Sequence, residues 1–420
     1  MAALSTGKIA EVMFEKALET YEHQMQMLPL VDHWSPSSAD LQNAGNFVWR
    51  PVQQHAPVID GFDLTGQETG IIEETYPAIL GTPKNDLFEQ RVDDLRDMTF
   101  WERRGEQSGK KQATTLNKGI ADVIADTGSL YIRSNATSGY SAIAEAQALL
   151  NERQAVKDDM RYFLLNDRDN LKYGSDLAAR QTLQGRPEQT WKTGQIGQNV
   201  AEFDVYTGSF LKTITGGAAT TTTSAAVSDK PEGGSVAANT GVVTNVDYRI
   251  SSDIPLVAAN FDVGDVVEFG VNAVGLADKT DTGQLMTFRV VEVSGLNIKV
   301  FPKPIALDDA SLTDLEKAYA NIATQIGSGA TVNRVNTDAS AKSNVFWCKN
   351  SIEVLGGDAP VDLLNQFGGM RVMSETMSNG QKMYMAYDGN IKTMQFTCRL
   401  FTWYGITNTN PSANGVLVTF

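Results

Sequence analysis

Two carboxylate clusters are the residues best placed by type and spacing to do chemistry: Asp93-Asp94-Leu95-Arg96-Asp97 and Asp308-Asp309. Paired carboxylates can share general acid and base roles when their surroundings separate their pKa values. The first cluster, however, travels with Arg96, Arg103 and Arg104. Alternating charges at helical spacing read as ion pairing on a solvated or inter-subunit face. Asp308-Asp309 precedes a helix start and reads as turn and capping chemistry. Lys110-Lys111 with Arg103-Arg104 forms a basic patch, but acidic residues flank it and no aromatics interleave to stack bases. His23, His33 and His55 stand too far apart along the chain to match a local metal site. Neither Cys348 nor Cys398 has a histidine close in sequence to serve as its base. A phosphate-cradling glycine loop, a dinucleotide fingerprint and a paired-histidine zinc helix are all missing. The residues therefore predict no catalytic, cofactor-binding or metal site, and no enzyme. A carboxylate-dependent hydrolase using Asp93 or Asp308 is the remote alternative.

The bulk properties point the same way. A chain of 420 residues with 42% hydrophobic content buries roughly 75% of its unfolded surface, in two or three domains. Two late cysteines are too sparse for a disulfide framework and read as buried free thiols. No run approaches about 18 apolar residues, so no membrane span is predicted. The start, Met-Ala-Ala-Leu-Ser-Thr-Gly-Lys, lacks a basic segment followed by an apolar core, so no secretory signal is predicted and synthesis is cytosolic. The formal net charge of −15 argues against nucleic-acid binding as the main task, since phosphate contacts need basic surface. It is compatible with enclosing a polyanion without adhering to it, by weak repulsion across a Debye length of about 8 Å.

The elements follow from periodicity. Residues 7–28 predict an amphipathic helix with Ile9, Val12, Met13, Leu18, Tyr21 and Met25 on one face. It reads as docking on its own core or as an arm packing outside the subunit. Strand-like runs at 46–53 and 70–80 predict a long hairpin, polar at its tip, which needs a neighbour because a two-stranded ribbon is marginal in water. Asn85-Asp86 reads as the cap of one long helix over 86–126, broken near Gly105 or Gly109. Helices at 141–158 and 167–183 flank a buried strand at Tyr162-Phe163-Leu164-Leu165. The character then changes. Thr213–Ser228 carries no charge, and from Val246 onward short β segments alternate: Val246/Tyr248/Ile250, 262–269, and Met286/Phe288/Val290 with a bulge before Val293. A turn at Ser294-Gly295 and a return through Ile298 and Val300 complete a small antiparallel barrel or sandwich. A capping pattern from Ser311 starts a helix over 312–325. A loop at 327–343 precedes Val345-Phe346-Trp347, from which strands run to the end.

Several of these runs resemble one family. Asp93-Asp94-Leu95-Arg96-Asp97 with Arg103-Arg104, Pro302-Lys-Pro-Ile-Ala-Leu-Asp-Asp309 with Ala318-Tyr-Ala-Asn321, Asn344-Val-Phe-Trp347 and Trp403-Tyr-Gly405 resemble the major coat protein of Salmonella-type short-tailed bacteriophages. The resemblance implies an α+β chain with the tailed-phage major capsid fold and an inserted small antiparallel β-barrel. It implies an N-terminal arm (1–45), an extended hairpin loop (46–84), a peripheral domain with a spine helix (85–130), and an axial domain (131–210 and 346–400). The inserted barrel would span 211–345, and a C-terminal strand (401–420) would return to the peripheral domain. Implied partners are further copies in hexamers and pentamers, a scaffolding protein meeting Glu15 and Glu19, a portal, and enclosed DNA without specific binding. Asp93, Asp94, Arg96, Asp97, Arg103 and Arg104 would make inter-subunit ion pairs. The implied place is the virion capsid, assembled in the host cytoplasm. A nanocompartment shell subunit of the same fold is the nearest alternative.

Overall fold

The computed structural model describes residues 6–36, 47–65, 70–91, 98–134, 139–154, 160–179, 197–218, 220–231, 247–258, 261–337, 341–366, 370–390 and 392–419. The chain divides into two units, one of residues 1–48, 78–120 and 352–407, the other of 49–77, 121–351 and 408–420.

In the first unit, helix α1 (Thr6–Gln24) buries Met13, Ala17 and Tyr21 completely, the apolar stripe that its sequence spacing dictates. It docks on α2 (Met98–Thr127), a continuous helix with Trp101 buried near its start and Ala113, Leu116 and Ile120 buried at three- and four-residue spacings farther along. Instead of breaking the helix, Gly105 and Gly109 let α1 approach. A Cβ on Gly105 would lie 2.4 Å from the Met13 carbonyl oxygen, and one on Gly109 2.3 Å from that of Ala17. Asn117 of α2 holds the end of α1: its Oδ1 accepts from the Met27 amide at 3.1 Å, and its Nδ2 donates to the Gln24 carbonyl at 3.0 Å.

The expected helix start at 86 is corrected. Lys84–Arg91 is a strand, paired residue for residue with Gln395–Thr402 in an antiparallel sheet ordered 371–376, 382–390, 395–402, 84–91. Asn85, read as a helix cap, instead accepts from Arg399 Nε at 2.8 Å. Alternating exposure along 84–91 shows the period-two logic of a half-covered strand, which its many charges obscure. Strands 371–402, expected beside 131–210, thus pair with 84–91. A second sheet orders Asp32–Trp34, Ile352–Gly356 and Tyr404–Asn408.

The second unit holds a seven-stranded mixed sheet, ordered 130–134, 414–419, 341–348, 161–165, 203–207, 197–200, with Thr213–Ile214 also on 341–348. Arg161–Leu165 and most of Ala341–Cys348 are buried on both faces, hence their unbroken apolar runs. Helices α3 (Gly139–Arg153) and α4 (Asp167–Ala179) cover it, Ile143, Leu150 and Tyr173 packing on Phe163, Phe203 and Phe346. The final strand, expected to return beside the spine helix's own domain, lies between 130–134 and 341–348.

The insert is a six-stranded antiparallel sheet, ordered 221–223, 331–334, 266–274, 281–294, 297–301, 254–255. Its edges meet: Val257 N donates to Thr223 O at 3.0 Å and Ala225 N to Pro255 O at 2.9 Å, so the sheet closes on itself. Phe269 and Phe288 cross at 5.4 Å in its core among Val267, Val290, Ile298 and Val300. The expected bulge is present as a register shift between Val290 and Glu292. Four details differ. Tyr248 and Ile250 lie in a turn rather than a strand, and the two-residue turn is Gly295-Leu296. The helix expected over 312–325 is one turn, Asp314–Lys317, capped by Thr313 with Glu316 closing a capping box. The expected loop contains a strand, Thr331–Arg334. Both cysteines are buried and neither is in a disulfide.

Candidate functional site

Glu15 and Glu19 lie on the exposed face of α1, opposite the stripe that docks on α2. Lys16 Nζ donates to Glu19 Oε2 at 2.6 Å, which lowers the Glu19 pKa and raises that of Lys16. Both are exposed, so the pair adds little stability. Of the charged group near the start of α2, Asp93, Asp94, Arg96 and Asp97 lie outside the described residues. Arg103 is exposed. Arg104 donates to Asp86 Oδ1 at 2.6 Å and its guanidinium sits 4.6 Å from the Phe88 ring centroid, a pairing within the chain.

The most developed polar site is one that sequence reasoning missed. The hairpin strands Phe47–Pro51 and Thr75–Ile79 pair with each other. Beyond them the ribbon is gripped by the Pro302-Lys-Pro and Ala318-Tyr-Ala-Asn segments. The Tyr319 hydroxyl accepts from the His55 amide at 3.2 Å and donates to the Ile72 carbonyl at 3.1 Å, bridging the two sides of the hairpin. The His55 ring meets Tyr319 edge-on at 5.2 Å. Ile72 packs among Ile305, Leu312, Ala318 and Tyr319. Lys303 Nζ lies 3.7 Å from Glu74 Oε1, and both side chains are buried. Asn321 ties the two segments together, donating to Lys303 O at 2.7 Å and accepting from the Ile305 amide at 3.0 Å. Arg249 stacks at 4.1 Å on Tyr76 and 5.2 Å on Phe301, its charge met by Asp247 and its remaining donors by the carbonyls of Asn408 and Thr409. A cavity of about 110 Å³ lies among His55, Glu74, Arg249, Lys303 and Tyr319. Burial, reinforced by Lys279, pushes the His55 pKa down to about 4, and burial lowers that of Lys279 to about 8.

Farther out, the hairpin is not polar as expected: Val58, Phe62 and Leu64 are 94%, 112% and 45% exposed, and Ile71 75%. No local pattern marks the socket, because Ala318-Tyr-Ala-Asn falls within the helix expected over 312–325. Among the described residues no group of three or more His, Cys, Asp or Glu is arranged to hold a metal, and no helix is long and apolar enough to cross a membrane.

The fold is of the capsid-subunit class. The chain belongs to the P22 coat protein family, described as gene protein 5, whose model matches residues 1–419. Its role is that of a phage major capsid protein, a structural component of the virion capsid. Among solved structures it is similar to the capsid of cyanophage P-SCSP1u, with 10% identity, 93% of this chain and 86% of that chain covered, and a TM-score of 0.46. The capsid of Ralstonia phage GP4 aligns with 9% identity over 95% of this chain and 90% of that one, TM-score 0.45. The CUS-3 coat protein I-domain aligns with 29% identity over 28% of this chain and 95% of that one, TM-score 0.23.

Proposed function

We propose that the chain assembles as hexamers and pentamers into an icosahedral shell around double-stranded DNA, by way of a scaffold-dependent procapsid that expands as DNA enters. The observation that carries this reading is the hairpin, whose exposed Val58, Phe62, Leu64 and Ile71 lie on a ribbon anchored at its root. Fully burying such a side chain contributes about 1.5–3 kcal/mol, and the occupant that covers them is a neighbouring copy. Glu15 and Glu19 offer an acidic face to a basic segment of a scaffolding protein, weakened where Lys16 already engages Glu19. Asp93, Asp94, Arg96, Asp97 and Arg103 pair between subunits, while Arg104 is held by Asp86 of its own chain. A portal occupies one position in the shell, assembly takes place in the host cytoplasm, and the acidic balance of −15 keeps packed DNA from adhering.

The test is electron microscopy of the chain expressed with and without its scaffolding partner, in native form and with Val58, Phe62, Leu64 and Ile71 all changed to Ser. Closed shells are expected from the native chain and folded, unassembled subunits from the variant. Normal shells from the variant would remove the hairpin from the assembly mechanism, and only small oligomers from the native chain would end the shell reading.

A further inference from the structure

The insert reaches the end of α2 through a single strand. Asp281–Ser294 carries Arg289, only 3% exposed. Its Nη2 donates to the carbonyls of Ala125 at 2.9 Å and Gly128 at 3.1 Å, its Nε to Gly128 at 3.3 Å, and its Nη1 to Gly264 at 2.8 Å. Two residues away, Thr287 Oγ1 donates to the Ser129 carbonyl at 2.7 Å. Ala125 lies in the last turn of α2 and Gly128 and Ser129 directly follow it, while Gly264 belongs to the insert. At a helix C-terminus the last four carbonyls have no intrahelical donor and the helix dipole places partial negative charge. A guanidinium buried without compensation is costly. Here the carbonyl dipoles offset that cost together with the charges of Asp126 and Asp265, and the planar fork of donors spans several carbonyls, which an ammonium could not do. Burial lowers the Arg289 pKa only to about 10, so it is charged at neutral pH.

A second seam joins the insert to the end of α3. Gln154, at φ 54°, accepts at Oε1 from the amides of Ala277 and Asp278 at 3.2 and 3.1 Å and donates to Asp278 Oδ2 at 2.8 Å. Arg153 Nη2 donates to Leu285 O at 3.1 Å. The insert is therefore fastened to the C-terminal ends of two helices.

We propose that the insert is a clamp on α2: Arg289 and Thr287 supply the donors that the helix end lacks, so that the last turn of α2 and the inserted sheet open as one cooperative unit. Any rearrangement that tilts that turn must carry the insert along or break this set of bonds. The capping role is independent of what the shell encloses.

Native-state hydrogen exchange of the full chain along a denaturant series tests this. In the native protein the Gly128 amide, bonded to Ile124 O, and the Val290 amide of the insert, bonded to Asp265 O, should converge on one opening curve. In Arg289→Met, Gly128 should exchange roughly 10- to 100-fold faster, as expected for losing hydrogen bonds to a charged group, while Val290 keeps its protection. Separate curves in the native chain, or a Gly128 amide unchanged in Arg289→Met, would overturn the clamp. Should that variant fail to fold, Thr287→Val decides: about a fivefold acceleration at Gly128 supports the clamp, and no change refutes it.

Discussion

Replacing Gly105 or Gly109 with Ala separates two opposing effects cleanly. In an exposed helix interior the change is stabilising by about 1 kcal/mol, because Gly loses more backbone entropy on folding. Here the new methyl would stand 2.4 Å from Met13 O or 2.3 Å from Ala17 O, and both obstacles are backbone atoms of α1 that no rotamer change can move. Restoring ordinary contact near 3.4 Å requires α1 to retreat by about 1 Å, away from a face where Met13, Ala17 and Tyr21 are fully buried. The same retreat stretches the bond from Tyr21 to Gln381 at 2.8 Å. Overpacking of this kind costs about 1–3 kcal/mol. A rigid obstacle belongs at the top of that range, so the net loss is about 2 kcal/mol. That corresponds to roughly 30-fold faster hydrogen exchange of the α1 amides. A chain of this size is not two-state, so the local readout is the proper one. The double variant should be less than additive, since the first retreat makes room for the second methyl. Slower exchange in α1, or a raised melting temperature, would show that propensity wins and that the close approach does not hold the two helices together.

Three further outcomes follow from the hairpin socket and the insert. His55 has a folded pKa of about 4 against an ordinary value of 6.5. Neutral His55 therefore favours the docked hairpin fully above about pH 6.5, and up to about 3 kcal/mol of that docking is lost as pH falls toward 4. Limited proteolysis within 50–75 should accelerate over that window in the native chain but not in His55→Gln; equal profiles would rule the histidine out. Tyr319→Phe removes both hydroxyl bonds and leaves the Ile72 carbonyl and the His55 amide unpaired, at about 1–3 kcal/mol. The same cleavage should quicken at neutral pH, and an unaltered rate would show that the bridge contributes nothing. An excised insert spanning about 211–345 retains its own closed sheet and aromatic core, so its amide spectrum should be dispersed.

Much of the fold was legible because it is written in local periodicity. The stripe on α1, the helix period of 113–124, the buried run at 161–165 and the β character of 262–301 each follow from neighbours a few residues apart. The bulge beyond Val290 was readable for the same reason, as a change of phase within one strand. Lys84–Arg91 was not, because its partner, Gln395–Thr402, lies near the opposite end of the chain. Its alternation of Asp86, Phe88 and Gln90 toward the sheet is masked by charges that suit a helix equally well. The candidate site divides likewise. Exposed Glu15 and Glu19 follow from helix geometry, whereas the pairing of Arg104 with Asp86 needed the strand to be recognised first.

By itself the sequence determined the class of element at most positions, the β character of 262–301 and the resemblance to coat proteins. Only the tertiary structure decided what the glycines of α2 are for, which segment grips the hairpin and how the insert is mounted. Gly105 looks like a helix breaker until the carbonyl of Met13 is placed against it. Ala318-Tyr-Ala-Asn looks like part of a helix until Tyr319 meets His55 and Ile72. Arg289 looks like an ordinary strand charge until it closes the end of a helix that the chain completed long before reaching it. In each case the deciding partner is close in space and distant in the chain, where no local pattern carries its signal.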